Sequence, residues 1–500
     1  MKRKFFAIIA LTLLATMAFI GCSAKRDMAF DNMAGAVPPE MDDESYTEII
    51  ENPFVDASIQ PEAYFSIDAN TASYPNLRSS IMNGSSYINR DAVRVEEMLN
   101  YFSYDYTRPT GDDILALNAS VFDNPYNSES KLMTVGLAAK EVDFATVRNN
   151  IVFLIDVSGS MAAENKLGLV QQAFMMLAEN LNEDDRVSIV TYAGSDSVAL
   201  SGAYGYEKTR IMAVIEDLYA SGSTAGSKGI RTAYSLAEKY FIKGGNNRVI
   251  LATDGDFNVG VTSNFELEML ISAKRRSGIY LSVFGVGNGN LKSDKMETLA
   301  LKGNGTYSYI DSVREAKRAL VEQIGGTMLT VAKDVKAGIT FNPDYVSQWR
   351  LIGYENKLLT EEEYEDDQTD AGELGSGHTV TVVFEIKLTD KTFEVDTALA
   401  EVGIKYKPTE NSGGASDVSS ELKLAVKTND YHSQMTANDA FVSSVVEFAL
   451  VLRDSIYKGD ASINAVIARL EGITLEDEFK AEFREVVKKY RENCDREIYY

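Results

Sequence analysis

Cysteine and histidine are scarce. The 500 residues hold two of each, Cys22 and Cys494, His378 and His432. Four such residues, so widely spaced, argue against a zinc centre of the usual ligand types. No structural disulfide is expected either, because Cys22 has another fate set out below. Basic charge is also in deficit: 49 Lys and Arg against 74 Asp and Glu give a net charge of −25 and a pI near 4.6. That balance excludes a nucleic-acid binder, which needs a basic face to displace phosphate counterions. It also excludes broad electrostatic attachment to an anionic membrane surface. Basic partners or divalent cations fit better, and part of the charge serves solubility. No Gly-x-x-x-x-Gly-Lys phosphate loop occurs.

Long apolar runs are nearly missing too. One stands out, the 16 residues Phe5 to Ile20, preceded by Lys2, Arg3 and Lys4. It suits the apolar region of a signal peptide and is short for a spanning helix. It ends in Phe19-Ile20-Gly21-Cys22. This resembles a bacterial lipoprotein box, with Phe19 where Leu is usual. The resemblance implies that residues 1–22 are a signal segment, that Cys22 is lipidated, and that the chain sits in the bacterial cell envelope on acyl chains. Residues 23–60 have little apolar periodicity and read as a flexible tether.

The rest has an ordinary composition, 45% hydrophobic and 25% charged, and is too long for one core. From about residue 150 buried strands alternate with helices. Ile151–Ile155, Val187–Tyr192, Arg248–Thr253, Tyr280–Gly287 and Thr306–Ile310 read as strands. Helices are expected at 166–182, 207–219, 226–243, 264–277 and 312–327, the first with Val170, Ala173, Phe174, Leu177 and Leu181 on one stripe. This pattern predicts an α/β fold with a doubly wound, mostly parallel sheet. Ligands bind such sheets outside the carboxyl ends of the strands.

Three loops fall there. Asp156-Val157-Ser158-Gly159-Ser160 follows the first strand, Asp254-Gly255-Asp256 follows the 248–253 strand, and Thr224 lies in a Gly- and Ser-flanked loop opening a helix. Asp156, Ser158, Ser160, Thr224 and Asp254 are all hard oxygen donors, which suits Mg²⁺ or Mn²⁺. Two carboxylates balance a 2+ ion, and positions left open can take water or an acidic group from a partner. The competing reading, turn and helix-cap residues, explains each one singly but not their joint placement after strands.

Asp-x-Ser-x-Ser with a distant Thr and a distant Asp resembles the metal-ion-dependent adhesion site of von Willebrand factor A domains, and residues 148–328 are similar to that family. The resemblance implies direct metal contact by Ser158, Ser160 and, in the ligand-engaged state, Thr224. It implies supporting or water-mediated roles for Asp156 and Asp254. Phe65–Tyr74, Arg94–Phe102, Trp349–Asn356, Asp370–Glu373 and Phe441–Asp454 further resemble YfbK-like bacterial lipoproteins.

Around the A domain, three regions are set apart: an N-terminal one at 61–147, a β-rich one at 329–430 and a helical one at 431–500. The strands near 113–123 and 131–139 are too few for a sheet of their own. They are expected to pair with Gly338–Phe341, Thr379–Leu388, Val402–Lys407 and Glu421–Lys427 into a sandwich-like body. In the helical region, Ala440, Phe441, Val445, Phe448, Leu452 and Ile456 are expected to face a core. The acidic run Glu361–Asp367 does not have EF-hand spacing and reads as a solvated loop.

The function expected is binding of a protein ligand whose acidic side chain completes the metal's coordination, with no enzymatic activity. A metal-dependent hydrolase is the alternative, but Asp-x-Ser stands where such enzymes use Asp-x-Asp, and neither His lies within 148–328 to activate Ser158. A purely structural envelope protein, engaging no ligand through the metal, is the third reading.

Overall fold

The computed structural model describes residues 44–222, 226–255, 264–287, 291–392 and 395–497. In chain order the strands are β1 (Val55–Asp56), β2 (Glu62–Ser66), β3 (Leu115–Asp123), β4 (Lys131–Ala139), β5 (Asn149–Asp156), β6 (Arg186–Tyr192), β7 (Asp196–Tyr204), β8 (Asn246–Thr253) and β9 (Ile279–Val286). They continue with β10 (Tyr307–Ile310), β11 (Thr330–Phe341), β12 (Val346–Ile352), β13 (Gly372–Gly375), β14 (Thr379–Leu388), β15 (Ala398–Pro408), β16 (Ser420–Lys427) and β17 (Tyr431–His432).

β10-β9-β8-β5-β6-β7 form one sheet, parallel except for the antiparallel edge strand β7. Ile151–Ile155 at its centre are wholly buried because both faces are covered by helices. On one face Phe153 stacks on Phe174 of helix Leu169–Glu179, whose buried stripe is the expected one. On the other, Leu154, Leu251 and Val283 meet Tyr234 and Ile271 of helices Gly226–Lys239 and Asn264–Arg276. Within residues 148–328, β7 and one helix escaped the sequence reading. β7 is largely exposed and lacks an apolar run, and helix Ser293–Lys302 follows β9.

The flanking segments are not separate regions. β4 pairs with β14 and β2 with β11, so residues on both sides of the A domain share sheets. The sheet β1-β12-β14-β4-β3-β17 faces the sheet of β13, β11, β15, β16 and β2 across one apolar core. Alternation along each strand decides which side chains enter it. Val380, Val382, Phe384 and Ile386 of β14 point into the sandwich, while Val383 points to the opposite face. That face is covered by helices Ser73–Met82, Val95–Asn100, Ala437–Arg453, Ile463–Glu471 and Glu478–Glu497. Segments of 61–147, 329–430 and 431–500 therefore build one discontinuous body, closed by the pairing between distant segments that was expected of the strands at 113–139.

The tether expectation is corrected for residues 44–60. Ser45 N donates to Leu291 O at 2.9 Å, Ile49 N to Asp91 Oδ1 at 2.9 Å, and Asn52 Nδ2 to Gly353 O at 2.9 Å. β1 then pairs antiparallel with β12. This stretch is ordered through scattered backbone and side-chain hydrogen bonds, which leave no apolar periodicity to read. The remainder of the tether, and the signal segment with Cys22, lie outside the described residues. Glu361–Glu365 is a short helix rather than a loop, capped by the Thr360 hydroxyl, which accepts from Glu363 N at 3.2 Å. Ile456 is 81% exposed because its helix ends at Arg453 and Asp454 turns left-handed with φ 51°. Among the described residues no helix is long and apolar enough to cross a membrane.

Buried ion pairs join the A domain to this body. Arg78 of helix Ser73–Met82 reaches Asp311 and Glu315, just beyond β10, and Glu482 of the last helix. Lys357, beyond β12, reaches Glu297 of helix Ser293–Lys302 and Asp68 beyond β2.

Candidate metal centre

β5 and β8 are adjacent parallel strands. Their carboxyl ends therefore bring Asp156 and Asp254 to one edge of the sheet, at the place where the chain winds off in opposite directions. Both carboxylates are buried, Asp156 at 0% and Asp254 at 1% exposure. Asp156 Oδ1 accepts from Ser158 N at 2.8 Å, an Asp-anchored turn that folds the Asp-x-Ser-x-Ser loop back over its own first residue. Asp156 Oδ2 accepts from the Thr253 hydroxyl at 3.3 Å, which ties the two strand ends together. Burial pushes the Asp156 carboxyl up to about 6, against the hydrogen bonds from Ser158 and with the Asp254 charge adding to the rise.

Ser158 is buried and Ser160 exposed, and their hydroxyl oxygens lie 3.0 Å apart. Two neighbouring ligands of an octahedral ion with bonds of about 2.0–2.1 Å stand about 2.9–3.0 Å apart. The serine pair thus has the spacing of one edge of a Mg²⁺ coordination shell. Thr224 lies outside the described residues. The loop leading to it is fastened to the site, since Ser221 N donates to Val157 O at 2.7 Å and Gly159 N to Gly222 O at 3.0 Å. Of the five residues expected from sequence, four meet at one edge. The donor set fits a hard divalent cation: Asp156 and Asp254 supply buried charge, and the buried Ser158 and exposed Ser160 supply neutral oxygens.

One residue of the site was not foreseen. Lys166 Nζ donates to Asp254 Oδ2 at 2.9 Å, and its side chain is 13% exposed. Nothing in its sequence position announces a partner that lies 88 residues away.

Residues 150–323 match the family model described as von Willebrand factor type A domain. Residues 326–492 match the one described as uncharacterized protein YfbK, C-terminal, and residues 40–134 match one described as von Willebrand factor. The Escherichia coli protein YfbK is 40% identical over 385 residues, 75% of this chain and 66% of that protein. The Synechocystis protein sll0103 is 28% identical over 213 residues, 41% of this chain and 49% of that protein. The chain thus spans just under two thirds of the one and about half of the other. Among solved structures, a von Willebrand factor type A protein from Catenulispora acidiphila is 15% identical, with a TM-score of 0.42 over 74% of this chain and 86% of that one. Domains of this type commonly bind a divalent metal at an adhesion site and mediate protein–protein interactions. The chain carries a von Willebrand factor type A domain over residues 150–323 and a YfbK C-terminal domain over residues 326–492.

Proposed function

We propose that this protein is a lipid-anchored component of the bacterial cell envelope that binds a protein ligand through a Mg²⁺ or Mn²⁺ ion held by Asp156, Ser158, Ser160, Thr224 and Asp254. The observation that carries the reading is the serine pair, with hydroxyl oxygens 3.0 Å apart above two buried carboxylates. Buried charge holds the ion, and the exposed Ser160 marks the side from which a partner's acidic group completes the shell. The role is binding rather than catalysis. No histidine lies between residues 148 and 328 to activate a nucleophile.

Calorimetric titration with Mg²⁺ tests the site. The wild-type chain should bind one ion, and Asp156→Ala should lose that binding at least tenfold while keeping its secondary structure. Undiminished affinity in the variant would sink the assignment. The anchor rests on Cys22 and the apolar run before it. Expressed in a bacterium fed a labelled fatty acid, the full chain should take up label, and Cys22→Ser should take up none. Equal labelling of the two would exclude lipidation at Cys22.

A further inference from the structure

Lys166 places a fixed cation inside the metal site. It belongs to the segment Glu164–Gly168 leading into helix Leu169–Glu179. Its ammonium sits 2.9 Å from Asp254 Oδ2, on a carboxylate with no solvent exposure. Its stem crosses the end of β9 at Gly287, where φ is +74° and an added Cβ would come within 2.4 Å of Lys166 Cε. A residue with a side chain at 287 would displace that stem, so the lysine path is built jointly by the glycine and by Asp254.

The charges of the site then sum differently from those of its ligands alone. Among the described residues, Asp156 and Asp254 bring two negative charges and Lys166 returns one positive, leaving a single negative charge. A divalent ion added to this set leaves an excess of one positive charge. A single carboxylate from a partner brings the sum to zero. We infer that Lys166 is an internal competitor of the divalent ion: it occupies Asp254, weakens ion binding, and keeps the loaded site one charge short of neutral so that an anionic ligand group is required. This inference rests on the metal reading above and deepens it. Without the lysine, two carboxylates would already neutralise the ion, and the loaded site would have less attraction for an acidic partner.

Lys166→Met keeps the length of the stem and removes the charge. Lys166→Arg keeps the charge. In Mg²⁺ titration by calorimetry, Lys166→Met should bind the ion about tenfold or more tightly than wild type, and Lys166→Arg should stay within about threefold of wild type. In a chelator, Lys166→Met should unfold at a lower temperature than wild type, because Asp254 loses its cation, and saturating Mg²⁺ should raise its melting temperature more than it raises that of wild type. If wild type binds Mg²⁺ and Lys166→Met binds it equally or more weakly, the competitor role is overturned while the metal site stands. If neither chain binds Mg²⁺, the metal reading fails and this inference fails with it.

Discussion

Replacing Arg78 with methionine should lower the unfolding free energy by about 3–5 kcal/mol, the usual cost of removing one partner from a buried ion pair. Arg78 is 5% exposed. Its guanidinium donates to both Asp311 oxygens, at 2.8 and 2.5 Å, to Glu315 Oε2 at 2.9 Å, to Glu482 Oε2 at 2.9 Å and to the Tyr101 hydroxyl at 2.9 Å. A planar fork can serve so many acceptors at once, and a lysine cannot. Glu315 is fully buried. Burial pushes its carboxyl up, but Arg318 and Arg78 outweigh that and hold it below the usual carboxylate range. A carboxyl lowered in the folded state adds stability above its ordinary pKa, and that stability is lost as the pH falls. The deficit of Arg78→Met should therefore be largest at neutral pH and shrink in acid. Arg78→Lys should recover only part of it. Urea denaturation at pH 7 and pH 4 measures both; a loss below about 1 kcal/mol at pH 7 would show that this arginine does not fasten the A domain to the body.

Lys357→Met should do comparable damage with a sharper pH signature. Lys357 Nζ lies 2.6 Å from Glu297 Oε1 and 3.2 Å from Asp68 Oδ2, and all three are buried. Glu97 completes a trio of carboxylates whose oxygens fall within 4.8 Å of one another. Burial pushes the Glu297 carboxyl up, yet Lys357 and Arg94 outweigh it and draw it down to about 2. Glu97 goes the other way: burial, Asp68 and Glu297 push its carboxyl well above the usual range. In the wild-type chain Glu297 contributes stability above about pH 4.5, and that contribution fades as the pH drops towards 2. Without the ammonium, Glu297 loses the stronger of the two charges that hold it down, and its carboxyl rises. A raised carboxyl favours the acidic condition. Lys357→Met should lose about 3–5 kcal/mol at pH 7 and regain part of it near pH 5. Chemical denaturation across pH 4–8 reads the slope. A variant parallel to wild type over that range would contradict the account.

These two residues also show where sequence reasoning ends. Strands such as Ile151–Ile155 and stripes such as Phe174–Leu177 are legible because burial on both faces, or along one helical face, writes a period into the chain. The candidate metal site is legible because Asp156, Ser158, Ser160 and Asp254 belong to short loops at predictable strand ends. Arg78 and Lys357 carry no such mark. A single cation in a helix or loop looks the same whether it faces water or a buried carboxylate more than 200 positions away, as Arg78 and Glu315 do. Lys166 was missed for the same reason. The edge strand β7 hides because it is mostly exposed, and β1 because it is two residues long. Residues 44–60 looked like a tether because scattered hydrogen bonds, unlike a buried stripe, leave no pattern in composition. The pairing of β4 with β14 was anticipated from a shortage: two strands cannot make a sheet alone, and the missing partners had to come from beyond the A domain.

The central claim is that Asp156, Ser158 and Ser160 stand at a divalent-cation site. Anomalous diffraction from crystals grown with Mn²⁺ tests it most directly. The account predicts one peak at the carboxyl edge of β5 and β8, about 2.2 Å from the hydroxyl oxygens of Ser158 and Ser160, that vanishes in Asp156→Ala. A peak elsewhere on the chain, or an edge that stays without one at saturating Mn²⁺, would contradict it.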